Sequence, residues 1–384
     1  MRVAPSVAVT DANLISSTVA EPAAGEAIWN SATIYKAGDI VINTTTHRAY
    51  TSLQGSQMAV AISIASPAIV TWANHGLAPG APLVFSTTGA LPAGLTAGTV
   101  YYVLADTVNT FKVAATIGGA AIGTSGSQSG VHAATANPNI GRDPTTDTGL
   151  WWQDAGASIK WAMFDLMRNK ASTGPSPLVV QFSPGARIDT VGLDGLVADH
   201  VNVTLTVGGV VRYTYDEDLL IHDTASWYDY FFGDFIQKTA TAAINLPPYS
   251  TGVVTITLTR STGNCACSAV VAGQSTYLGA TIHGVENDAL NFSKIDRDED
   301  GNSILNQKRS VPKITPSTRI DKNLVNKVLK VRDDLNAIPA LWLGLDDQTS
   351  GYFRPLLVIG VYKQFKVTLD QPTSATVSLE IEKV

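Results

Sequence analysis

Carboxylates beside aromatic rings are the first feature of this 384-residue chain that could carry chemistry. Asp216, Glu217, Asp218 and Asp223 lie just ahead of Trp227-Tyr228-Asp229-Tyr230-Phe231-Phe232-Gly233-Asp234. Glycoside hydrolysis needs a general acid and a second carboxylate flanking the sugar. Asp216, Glu217, Asp223 and Asp229 are therefore the candidates for a glycan-cleaving site. Alternation of Tyr228, Tyr230 and Phe232 points instead to a strand or loop, with those rings on one sheet face and Asp229 and Gly233 on the other. The strand or loop is the favoured reading, and no enzymatic activity is expected.

A second carboxylate group, Asp296, Asp298 and Asp300 followed by Gly301, has the opening spacing of a calcium-binding loop. Clustered carboxylates need a cation, and the Gly allows the sharp turn. The pattern then departs, with Ser303 at the eighth position and Gln307 where a bidentate Glu is needed. A solvated acidic loop is the favoured reading and no cofactor is expected, with Ca2+ at 296–301 as the alternative. The six histidines are scattered without metal spacing. No nucleophile elbow, phosphate loop or dinucleotide fingerprint is present.

Five aromatic residues, Trp29, Tyr35, Tyr50, Trp151 and Trp152, suit saccharide binding. Flat rings cover the C–H faces of sugars, and neighbours such as Asp39 or Gln153 can accept bonds from hydroxyls. A small domain also spends its aromatics on its own core, and Trp29 with one of Trp151 and Trp152 fits that role.

Composition limits what else the chain can do. Charged residues make up 15% and hydrophobic ones 45%, with 32 Gly. Small and β-branched residues with frequent Gly favour strands and turns over long helices or disorder. The net charge of −6 gives no general footprint for nucleic acid. Cys265 and Cys267 are too few for a disulfide scaffold and read as reduced structural thiols. The apolar run from Met58 to Trp72 is too short to span a bilayer and is broken by Pro67, so it reads as a strand pair, and no membrane insertion is expected. No secretory leader is evident, which points to synthesis in a reducing cytoplasm.

The expected elements fall into a nested order. Residues 1–25 are small and polar and read as an arm that docks elsewhere or stays loose. Residues 26–56 form the first part of a small β module, with hairpins turning at Lys36-Ala37-Gly38-Asp39 and Asn43–His47. Residues 57–133 carry their own turns and four or five strands, enough for a small barrel or sandwich. Residues 134–157 return to the small module. Residues 158–384 read as a larger jelly-roll-like β-sandwich, closed by one helix and a terminal hairpin. Leu324, Val328, Val331 and Leu335 give that helix its apolar stripe, Asp321 its cap and Pro339 its stop.

Two stretches carry a family resemblance. Trp29, Tyr35, Gly38-Asp39 leading to Val41, and Tyr50-Thr51-Ser52 resemble the small chitin-binding-type carbohydrate modules of secreted chitinases and phage tail proteins. The closing part of that pattern is displaced, resuming at Asn139–Pro144 and Leu150-Trp151-Trp152. The intervening Gly94-Leu95-Thr96-Ala97-Gly98-Thr99 before Tyr101-Tyr102-Val103 resembles a mobile β-module of phage tail and fibre proteins. Trp161-Ala162-Met163-Phe164-Asp165 is similar to a segment that follows such modules, so the resemblance covers the chain as far as Asp165.

The resemblance implies a virion structural protein of a tailed bacteriophage, in the tail tip or baseplate. It further implies a homo-oligomer held among other tail or baseplate proteins, with host-surface glycan contacted through the small β-domains during adsorption. A glycan depolymerase or glycosidase, or a free saccharide-binding protein, is the alternative.

Overall fold

A computed structural model describes residues 1–384 other than Ile34, 54–56, Asp106, 137–140, Thr148, Leu150, Arg168, 223–225, Asp234, Asp298 and Gly301, and the side chains of Ala105, His222 and Asp229. The protein is mainly β, with 47% of residues in strands and 7% in helices. The chain divides into two compact units, one of Met1–Ala23 with Ile159–Val384 and one of Ala24–Ser158.

In the 24–158 unit, Ile40–Asn43 and Arg48–Ser52 form a hairpin, and Trp152–Ala157 pairs with the second of these strands. Trp152 lies opposite Ser52 in that register, so the chain leaves the sheet and re-enters it at the same level. What it builds in between is a closed six-stranded barrel of Gln57–Ile62, Val70–Thr71, Pro82–Thr87, Val100–Ala105, Thr110–Ala114 and His132–Ala136. Alternation drives closure: Leu83, Phe85, Tyr101, Val103, Phe111 and Val113 all point into one core. The turn before Tyr101 is tied down by the Tyr101 hydroxyl, which accepts from the Thr96 N–H at 2.8 Å. The described residues of Trp29–Tyr35 form no strand, and a single parallel bridge joins the preceding Ile28 to Ile42. Asn30 N–H donates to the Tyr35 hydroxyl at 2.7 Å within the stretch, while Trp29 N–H donates to the Ile42 carbonyl at 2.9 Å and the Ser31 carbonyl accepts from Gly141 N–H at 2.9 Å.

The larger unit is layered. A five-stranded sheet (Val210–Asp218, His200–Val207, Val253–Thr259, Leu178–Phe182, Leu14–Ser17) packs on a three-stranded one (Ala240–Ile244, Thr190–Asp194, Ala269–Gly273). Leu178, Val180, Phe182, Val203 and Ile256 from the first meet Val191, Leu193 and Val270 from the second in one β-sandwich core. The three-stranded sheet is covered on both faces, because Ala242, Ala269 and Val271 pack against Leu341, Leu343 and Ile359 of a further sheet. Its strands Thr190–Asp194 and Ala269–Gly273 are accordingly buried at every position. Two glycines let the layers approach: a Cβ on Gly192 would lie 2.6 Å from a Leu341 methyl, and one on Gly273 would lie 1.9 Å from the Pro5 carbonyl oxygen.

That further sheet has nine strands and joins the beginning of the chain to its last third. Arg2–Pro5 lies between Ala340–Leu343 and Thr276–Tyr277, while Leu14–Ser17 edges the sandwich beside Leu178–Phe182. Residues 1–23 therefore belong to the larger unit rather than forming a loose arm, and they give it the strands Arg2–Pro5 and Leu14–Ser17. Val3 and Ala4 are fully buried, and the stretch's few apolar side chains sit where the sheets need them. The expected terminal hairpin, Leu357–Thr368 with Ser374–Lys383, is central to this sheet and adds to the sandwich a layer that the strand pattern did not reveal. Asp321 accepts from the Asn323 N–H at 2.8 Å and caps a short 3-10 turn, which runs into helix α2 (Val325–Asp334). Val328 and Leu335 join Trp342, Val377, Leu379 and Ile381 in the core that this helix covers.

Cys265 and Cys267 are free and buried. Burial pushes the Cys267 thiol up to about 12, so it stays protonated.

One ion pair ties the layers together. Lys383 donates to Asp194 at 2.7 Å, with side chains 9% and 1% exposed. Removing one partner strands the other charge in a dry interior. Lys383→Ala is expected to cost about 3–5 kcal/mol in equilibrium urea unfolding. The Lys383→Met, Asp194→Leu double variant should recover most of that loss.

Candidate functional site

The module's aromatic residues come together, but as a core. Tyr35, Tyr50, Trp151 and Trp152 are 7%, 8%, 8% and 2% exposed and cluster around Val41. Tyr35 meets Trp152 edge-on, with ring centroids 5.3 Å apart. The Trp152 indole N–H donates to the Arg142 carbonyl at 2.9 Å, and the Arg142 guanidinium lies 5.1 Å over the Trp151 ring. A small sheet has little else with which to exclude water, so its large rings turn inward. A platform of all five rings is therefore not formed. Trp29 alone is half-exposed at the margin of the cluster, and its indole nitrogen is buried without a hydrogen-bond partner. Asp39, expected to meet sugar hydroxyls, accepts from the Lys36 N–H at 2.7 Å and shapes the turn, while Gln153 is exposed.

The residue that organises this corner was not singled out from sequence. One Asp147 carboxylate oxygen accepts from the N–H groups of Gly149, Trp151 and Trp152 at 3.1, 3.0 and 2.9 Å. Its only signal in the sequence was an Asp before a Gly, which is turn chemistry at any surface.

The acidic strand is structural where it is described. Tyr213, Tyr215 and Glu217 alternate with the outward Thr214, Asp216 and Asp218 along Val210–Asp218. Asp216 and Glu217, being consecutive in a strand, project to opposite faces and cannot flank one bond. Asp216 accepts from Asn202 at 2.7 Å and pairs with His200 at 3.1 Å, which lower its pKa. Burial works to raise the Glu217 pKa. Lys238 at 2.7 Å, Thr241, and Tyr215 at 2.6 Å outweigh it, leaving the carboxyl below its ordinary range. A glycosidase acid needs the reverse shift. Asp223 and the Asp229 side chain lie outside the described residues.

Trp227–Phe232 is not a strand but a short helix, α1, set between the three-residue strands of a hairpin, Leu220–His222 and Phe235–Gln237. The alternation of Tyr228, Tyr230 and Phe232 therefore does not sort them onto a sheet face. Tyr228 instead stacks on Phe232 one turn away, at 5.1 Å. The rings are exposed, Trp227 by 81% and Phe232 by 72%.

Asp296 sits in an exposed strand, Lys294–Arg297, opposite Ile304 of Ser303–Asn306, and Asp300 lies in the turn between them. Asp298 and Gly301 lie outside the described residues. Among the described residues no group of three or more His, Cys, Asp or Glu side chains is placed to hold a metal ion, and no helix is long and apolar enough to cross a membrane.

The chain matches no protein-family model, no curated protein and no solved structure.

Two outcomes check this reading. Asp147→Ala should destabilise the 24–158 unit by about 1–3 kcal/mol, since it leaves buried N–H groups unpaired, as read from its thermal midpoint. For Glu217 the folded carboxyl is depressed, so its stabilisation is fully present above the ordinary Glu value of 4.5 and is lost as pH falls through the lower folded value. Glu217→Gln should thus be less stable than the parent at pH 7, and the gap should close on acidification below that value.

Proposed function

We propose that the chain is a structural protein of a tailed-phage tail tip or baseplate, built to assemble with copies of itself and other tail proteins. The observation that carries this is the nested construction of the 24–158 unit. A three-stranded sheet opens at Ser52 and closes again at Trp152 around a complete barrel. That construction accords with the layout implied by the resemblance, a small carbohydrate-module pattern interrupted by a phage-type β-insert. The described carboxylates support a non-enzymatic role, since Asp216 and Glu217 project to opposite faces of their strand and both have lowered pKa values, the reverse of what a general acid needs.

Glycan contact narrows to Trp29 in this reading, because the other four rings serve the core. Host-surface saccharides then meet one ring edge and the exposed polar residues around it, as in a weak, many-copy contact whose strength comes from repetition.

The test is immunogold labelling of intact particles from the source phage with antibody raised to the purified chain. Label at the tail end is the expected outcome, and label confined to lysate or capsid overturns the proposal. For the saccharide part, a glycan array should show weak binding that Trp29→Ala removes without altering the thermal midpoint.

A further inference from the structure

The described residues between Leu219 and Lys238 form an excursion from the sandwich. The Leu219 N–H donates to the Asp199 carbonyl at 2.8 Å, and the Lys238 N–H closes the loop onto Leu219 at 2.7 Å. Beyond that neck stand the short hairpin and α1, and nearly every large side chain on them is in solvent. Trp227, Tyr228, Tyr230, Phe231, Phe232 and Phe235 are between 58% and 81% exposed. At about 150–250 Å² per ring, they present roughly 800 Å² of aromatic surface, the share one partner gives to a standard interface. This exceeds the roughly 300–600 Å² of the largest apolar patch on a typical monomer. Six residues are also too few for a helix that is stable alone in water.

The charges on this element limit what can cover it. Residues 219–238 hold Asp223, Asp229 and Asp234 against one cation, Lys238, which is paired with Glu217 at 2.7 Å. An anionic lipid surface is repelled by such a segment. A second copy of the same hairpin, placed face to face, sets one acidic set against another. The covering surface must be apolar, must bring positive charge, and must differ from the hairpin itself.

The same chain displays one. The hairpin Lys294–Arg297 with Ser303–Asn306 is exposed at all eight positions. A two-stranded hairpin with no third layer is marginal in water. Ile295 and Leu305 lie opposite each other on one face, 66% and 75% exposed, with Ile304 on the other face and Phe292 beside the root. Lys294, Lys308 and Arg309 fall at the root end of the hairpin, while Asp296, Glu299 and Asp300, with Arg297, fall toward the turn. Ser293 fastens the root by accepting from the Lys308 N–H at 2.9 Å. Next to it, Glu286–Asn291 ends the nine-stranded sheet as an exposed edge.

We infer that the aromatic hairpin of one copy docks on the root and the Ile295–Leu305 face of the 292–309 hairpin of the next copy. Two different patches on one chain make a heterologous contact, which closes into a ring or runs on as a filament rather than stopping at a dimer. This inference rests on the self-assembling role proposed above and names the surfaces that perform it.

Sedimentation of the full chain tests it. The parent should sediment well above its 40.4 kDa monomer. Trp227→Ser with Phe231→Ser, and separately Leu305→Lys, should each lose the assembled species while keeping the parent circular dichroism and thermal midpoint. Mixed in equal amounts, the two defective chains should form a dimer, because each retains the half that the other lacks. An aromatic variant that assembles like the parent overturns the inference and leaves the self-assembling role standing. So does a mixture of the two variants that remains monomeric. A parent that is monomeric at all concentrations removes both, and a monomeric parent that floats with phosphatidylcholine vesicles assigns the aromatic hairpin to lipid instead.

Discussion

The architecture of the larger unit depends on where the strand Arg2–Pro5 finds its hydrogen bonds. Its N–H and C=O groups are satisfied by Ala340–Leu343 on one side and Thr276–Tyr277 on the other, so the beginning and the last third of the chain become one sheet. Buried strand backbone must be paired, and here the partners are hundreds of residues away in sequence. The close approach at Gly273, where the Pro5 carbonyl occupies the space of a side chain, fixes how near this strand comes to the middle layer. The three-stranded sheet can be buried on both faces because that approach is permitted, and Lys383 can reach Asp194 across the layers.

The two units use the same physics at different sizes. The larger one stacks sheets, so its aliphatic side chains can exclude water and its polar residues can be confined to satisfied networks such as Glu217 with Lys238, Thr241 and Tyr215. The small module sheet has only three short strands, and it closes its core with Tyr35, Tyr50, Trp151 and Trp152. That need explains why residue types suited to sugar stacking are spent on stability. It also explains why an acidic residue with no evident chemistry, Asp147, holds the backbone of the two tryptophans.

Exposure divides the aromatic residues in a way that their identities do not. Trp152 and Trp227 are the same residue, one 2% and the other 81% exposed. A Tyr-x-Tyr-x-Phe run fits a strand by period, but Leu220–His222 and Phe235–Gln237 pair with each other, and Trp227–Phe232 between them is helical. Alternation reports which side chains could share a face and says nothing of whether a neighbouring strand is within reach to make that face real.

Some of this protein was determined by local sequence alone. Low charge with many β-branched residues specified a mainly β chain, and alternating apolar residues specified the barrel strands from Leu83 to Val113. The spacing of Leu324, Val328, Val331 and Leu335, with Asp321 ahead and Pro339 behind, specified the helix. Each of these depends on contacts close along the chain or on a period visible in it. Tertiary structure alone decided that Arg2–Pro5 and Leu14–Ser17 are strands of the larger unit, that a third sheet lies against the sandwich, and that Tyr35, Tyr50, Trp151 and Trp152 face inward while the rings of α1 face out. The reason is the same in every case: burial and strand pairing are settled by distant segments competing for the same surfaces, and a local pattern does not record which of them wins.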